Sequence, residues 1–310
     1  MKKFEISKFQ SIIGLVIFSI IISMMNDRFM TSSNILNILR QTSINSIIAA
    51  GMTFVIITGG IDLSVGSTLA LSGAVAAFLI STGTPPALAL LAALLVGASI
   101  GFLNGIAITK GKLQPFIVTL ATMTVFRGAT MVFTDGKPIS AGYEKGAEFL
   151  STLGNGYVMG IPIPILIMIV VFLIGYYVLT QTTFGRYVYS LGGNEEATKL
   201  SGVNTDRMKV IVYSISGFLA ALAGIIITAR LSSAQPTAGS GYELDAIAAV
   251  VLGGTSLAGG VGSILGTVTG ALIIGVLNNA LNLMNVSSYY QLLAKGVVIL
   301  IAVLLDRKNK

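Results

Sequence analysis

From Ile12 to Leu305 the chain is one apolar stretch after another, with hardly a charge to interrupt them. About 18 or more such residues, wound as a helix, cross the hydrocarbon core of a bilayer. In that core every backbone amide must be satisfied within the protein, which leaves only helices or closed barrels. These stretches are too long, and alternate too little, for barrel strands. Composition agrees: 10% of residues are charged, against about 25% in a soluble domain. The expected fold is an all-α polytopic membrane protein.

About ten spans are expected, at roughly 10–25, 36–58, 63–81, 86–108, 115–133, 162–179, 210–229, 244–257, 262–282 and 289–305. At about 20 residues each, they leave too little for a soluble catalytic domain, so residues 1–310 read as a single domain. The first span follows Lys2, Lys3 and Lys8 with no small-x-small site after it, and is expected to remain as an uncleaved anchor. Pro115 suits the first position of a helix, where its missing N–H is not needed. The eighth span is short and ends in Gly253-Gly254. It reads as either re-entrant or broken.

The net charge of +7 is spread over short loops and tails rather than gathered into a nucleic-acid patch. With the N-terminus inside, twelve Lys and Arg fall in cytoplasmic segments, among them Lys110, Lys112, Arg186, Lys199, Arg207 and Lys209. Only Arg28, Lys137, Lys145 and Arg230 fall outside. The positive-inside rule then puts both termini in the cytoplasm. The chain has no Cys and no His, which removes disulfides, thiolate metal sites and the commonest proton shuttle. No cofactor is expected.

The halves at about 36–133 and 210–305 echo each other. Gly59-Gly60-Ile61-Asp62-Leu63-Ser64 parallels Gly253-Gly254-Thr255-Ser256-Leu257-Ala258, and Gly101-Phe102-Leu103-Asn104 parallels Gly275-Val276-Leu277-Asn278. Internal repeats are a recurrent transporter construction. Hydropathy puts both Gly-Gly motifs on the cytoplasmic side. Gly97, Gly101 and Gly105, like Gly262, Gly266 and Gly270, recur every fourth residue. Such rows serve either packing within the bundle or a subunit interface.

Polar residues inside spans are candidates to line a passage for a polar solute, or else to hydrogen-bond between helices. Asn45, Asp62, Ser64, Asn278 and Asn282 are the candidates taken, with Asn285 on the face of Asn278 and Asn282. For Asp62 the rival reading is an N-cap for the third span. Arg127 and Lys295 are expected to snorkel to an interface.

The cytoplasmic segment at about 180–209 carries the most specific pattern. After Gly193, Asn194 is placed to cap a short helix, Glu195 and Glu196 complement its positive end, and Gly202 stops it. Ala197 and Leu200 are expected to form a small apolar face that docks in a partner's groove. The segment Gly193, Asn194, Glu195, Glu196, Ala197, Leu200, Ser201 and Gly202 is therefore the candidate coupling element. No G-x-x-x-x-G-K-[ST] motif occurs, so any ATP must be held by another subunit.

The strings Gly60–Ser67, Leu191–Glu195 with Leu200-Ser201-Gly202, Ala229–Pro236, Gly241–Val250 and Ser287–Gln291 resemble the permease subunits of bacterial ATP-binding-cassette importers for simple sugars. The likeness covers nearly the whole chain. It implies a type II importer-like architecture, with a second half described as an inverted copy of the first. It implies two permease copies around the pathway and a cytoplasmic ATPase docked near Gly193–Gly202. An extracellular binding protein would deliver D-ribose, touching 134–160 and Leu231–Glu243 through Glu144, Glu148 or Glu243. The alternative is an ion-coupled secondary sugar transporter acting alone.

Overall fold

The computed structural model describes residues 2–142 and 145–308. Its helices, in chain order, are α1 (Lys2–Met25), α2 (Ser32–Ile57), α3 (Val65–Ser81), α4 (Pro86–Thr109), α5 (Pro115–Thr134), α6 (Lys145–Asn155), α7 (Ile163–Gln181), α8 (Thr183–Gly193), α9 (Glu195–Leu200), α10 (Thr205–Leu231), α11 (Tyr242–Leu252), α12 (Ile264–Leu283) and α13 (Ser288–Lys308). Among the described residues, strand is limited to two small pairs. In one, β1 (Ile139–Ser140) lies antiparallel to β4 (Ser233–Ala234), with Ile139 opposite Ala234. In the other, β2 (Tyr157–Val158) turns back onto β3 (Ile161–Pro162).

Among the described residues, five helices, α4, α5, α7, α10 and α12, are long and apolar enough to cross a membrane. Pro86 and Pro115 start α4 and α5, and Thr31 caps α2 by accepting the Asn34 amide. The expected eighth span is α11, only 11 residues long. At about 1.5 Å per residue it reaches only partway across a bilayer.

The core lies around α2. From Thr42 to Ile57 nearly every side chain is buried, whichever way it points. A helix enclosed on all sides needs no polar face, which is why its sequence shows little amphipathic rhythm. Small residues allow this close packing. On α4, a Cβ at Gly101 would stand 2.0 Å from the Tyr213 carbonyl, and one at Gly97 would stand 2.4 Å from that of Gly217. The row thus fits α4 antiparallel against α10. Gly266 and Gly270 likewise admit the backbone of α11 at Gly253 and Ala249. Both glycine rows serve contacts within the chain, where dispersion between close backbones replaces the missing hydrophobic drive.

The two echoed turns meet in space. Gly259 packs on Gly59, and the Gly260 amide donates to the Ile57 carbonyl at 2.8 Å. Because α2 and α11 both end at this junction, the segments aligned on the Gly-Gly turns run the same way. The N-terminal helix reaches the junction too: Ser11 Oγ donates to the Leu252 carbonyl at 2.8 Å.

Candidate functional site

The candidate coupling segment folds largely as its capping residues dictate. Thr182 caps α8, accepting the Gly185 amide at 3.2 Å. Asn194 ends α8 and caps α9, its Oδ1 accepting the Ala197 amide at 2.9 Å. Past α9, the Gly202 amide bonds to the Lys199 carbonyl and the Val203 amide to that of Thr198. This pair of bonds closes a Schellman stop, and Gly202 at φ +86° supplies the left-handed residue it requires.

Tertiary contacts then fasten this helix of six residues. Thr198 is buried, and its Oγ1 lies 2.8 Å from Ser190 Oγ on α8. Lys209 Nζ on α10 donates to Glu195 Oε1 at 2.6 Å. Leu200 is left 89% exposed. Ala197 is exposed as well, so the outward apolar knob is present. The inward anchor is Thr198, which no apolar signal in the sequence marks. Glu195, expected only to complement the helix dipole, is engaged with Lys209.

Asp62 and Ser64 lie in a closed polar knot rather than on a wall. Asp62 is 1% exposed. Its Oδ1 accepts the Ser64 amide at 3.0 Å and the Ser64 hydroxyl at 2.6 Å, and its Oδ2 accepts the Ser216 hydroxyl at 2.8 Å. Asn104 Nδ2 donates to Ser64 Oγ at 2.9 Å, and the Tyr213 and Thr119 hydroxyls donate to the Ile61 carbonyl. The break between α2 and α3 is thereby held by α4, α5 and α10. Ser64, not Asp62, occupies the N-cap position of α3; Asp62 instead closes the turn before it.

The other passage candidates lie elsewhere. Asn45 Nδ2 donates to Asp245 Oδ2 at 3.3 Å, and Lys295 Nζ donates to the same oxygen at 2.8 Å. Asn278 is half-buried, and its amide oxygen is buried without a partner among the described residues. Asn282 is exposed and accepts from Gln291 at 2.8 Å. The five candidates therefore do not share one wall.

Two charged side chains depart from the expected placement. Arg127 does not snorkel: its Nη1 donates to the carbonyls of Pro236 and Ala238 at 2.9 and 2.8 Å, clamping the segment before α11. Lys295 does not snorkel either. It pairs with Asp245, which is 3% exposed. An acid in the first turn of one apolar helix and a lysine within another was the signal that could have revealed this pair.

Of the expected outer contacts, Glu148 is exposed on α6. Glu243 is half-buried and accepts the Gly241 amide at 3.2 Å. Glu144 lies outside the described residues. The arrangement as a whole supplies mechanical fastenings and a polar network buried within the protein.

Residues 34–303 match the family described as "Branched-chain amino acid transport system / permease component". The chain belongs to that permease family. The permease is 58% identical to the ribose import permease protein of Haemophilus influenzae, over 98% of its own length and 95% of the relative's. It is also 58% identical to the ribose import permease protein of Bacillus subtilis, over 96% and 92% of the two chains. To the D-allose transport system permease protein of Escherichia coli it is 42% identical, over 94% and 89%. No solved structure matches it. This permease is a transport component rather than an enzyme, and a multi-pass protein of the inner membrane.

Proposed function

We propose that this permease is the membrane-spanning subunit of an ATP-driven importer of D-ribose or a closely related simple sugar. The observation that carries the substrate is the 58% identity, along nearly the full length, to ribose import permeases. In this reading a cytoplasmic ATP-binding-cassette ATPase receives the exposed Leu200 of α9 in a groove, and an extracellular binding protein delivers the sugar to the opposite face.

Two copies enclose the pathway, with Asn45, Asn278 and Asn282 offering hydrogen bonds to sugar hydroxyls. Asp62 and Ser64 act as the fastening of the α2–α3 break beside it. Both termini are cytoplasmic; what supports this is the excess of Lys and Arg in the segments assigned to that side. Glu148 is the acidic contact most open to the binding protein. The halves at about 36–133 and 210–305 form one domain around the coupling segment at about 180–209.

Reconstitution tests the proposal. Permease, ATPase and binding protein in proteoliposomes are expected to take up radiolabelled D-ribose only when ATP is present on the ATPase side. Uptake by the permease alone, driven by a proton or sodium gradient, would overturn it in favour of a secondary transporter.

A further inference from the structure

Tyr189 stands on α8 one turn before the junction with α9, and its hydroxyl donates to the Gly262 carbonyl at 2.9 Å. Three residues on, Gly192 is pressed against backbone: a Cβ there would stand 1.8 Å from the Ile57 carbonyl oxygen and 2.5 Å from the Gly260 nitrogen. The Gly260 amide already donates to that Ile57 carbonyl at 2.8 Å, and a Cβ at Gly259 would meet both Gly192 and Gly59 at 2.9 Å. The last turn of α8 is thus wedged where α2 gives way to α3 and α11 gives way to α12. Contacts between bare backbones have no rotamers to absorb a displacement, so packed elements of this kind move together.

The other end of the linkage is equally tight. α9 is tied to α8 through the shared cap Asn194 and the Ser190–Thr198 contact. From the junction, α11 leads back to Asp245, which Asn45 and Lys295 hold from α2 and α13. A continuous line of contacts therefore runs from the exposed Leu200 to the buried charge pair.

We propose that Tyr189 and Gly192 are positioning residues that pass movement of α9 into the membrane: Tyr189 to the α11–α12 turn, and Gly192 to the end of α2. The proposal rests on α9 being the ATPase-docking helix and adds where its stroke is delivered. Movement of the α11–α12 turn re-aims α11, and with it Asp245 against Asn45 and Lys295.

The test uses the assembled transporter in proteoliposomes, with D-ribose uptake and ATP hydrolysis measured on the same sample. Tyr189→Phe keeps the ring and removes the hydrogen bond. Sugar moved per ATP hydrolysed is expected to fall about two- to ten-fold, with ATPase co-purification unchanged. Gly14→Ala on α1 is the control, because a Cβ there meets nothing within 4 Å; its ratio is expected to match the wild type. An unchanged ratio in Tyr189→Phe, or uptake and hydrolysis falling in step, overturns the proposal.

A second measurement does not depend on that variant. Spin labels at Lys199→Cys and Val261→Cys, in a chain without native cysteine, are expected to hold one distance with and without ATP. A distance that changes with nucleotide overturns the rigid linkage. Failure of the docking reading has a separate signature, ATPase retention by Leu200→Ser.

Discussion

Asn34 and Asn279 face each other across α2 and α12 and exchange two hydrogen bonds: Asn34 Nδ2 to Asn279 Oδ1 at 3.0 Å, and Asn279 Nδ2 to Asn34 Oδ1 at 2.9 Å. Paired amides satisfy each other where water is scarce. A double-mutant cycle with Asn34→Ala and Asn279→Ala is expected to give a coupling of about 0.6–2 kcal/mol, read from thermal unfolding in detergent. Additive single effects would show that the pair is incidental.

The Asp245–Lys295 pair should behave asymmetrically. Lys295→Met leaves a nearly inaccessible carboxylate without its cation and is expected to cost about 3–5 kcal/mol. Adding Asp245→Asn removes the stranded charge and should recover most of that loss. Unfolding midpoints of the single and double variants decide the matter, and a double variant no more stable than Lys295→Met would refute it.

Arg127 holds two carbonyls of the segment before α11. Removing a charged donor with Arg127→Met is expected to weaken that clamp by about 1.5–3 kcal/mol. Amide exchange around residues 236–242 should then speed up at least ten-fold. Exchange at wild-type rates would mean that the local turns alone hold the segment.

Leu200 presents its side chain outward, 89% exposed. Leu200→Ser should leave stability and membrane insertion unchanged. Losing the burial of one leucine, about 1.5–3 kcal/mol, is expected to weaken ATPase association about ten- to hundred-fold. Pull-down of the ATPase at graded concentrations measures this.

Gly101 and Gly128 separate packing from propensity. Gly101→Ala drives a Cβ to 2.0 Å from the Tyr213 carbonyl and should cost about 1–3 kcal/mol or more by forcing α4 from α10. Gly128→Ala meets nothing within 4 Å, so the better helix propensity of alanine, worth about 1 kcal/mol, should keep or raise the unfolding temperature.

The apolar stretches determined the helices because a backbone in lipid can satisfy itself in few ways. Prolines, caps and Gly202 placed many helix ends, since those signals act within a turn of chain. Asn194 and Gly202 therefore bounded α9 correctly from the sequence alone. Arg127, Lys295 and Asp62 were open to more than one reading for the opposite reason. Whether a charge in an apolar helix meets lipid headgroups, carbonyls or an acid depends on residues 50 to more than 100 positions away. Spacing along one helix cannot report those partners. Likewise, period-four glycines showed that some backbone approaches closely, but only the tertiary structure decided which backbone it is.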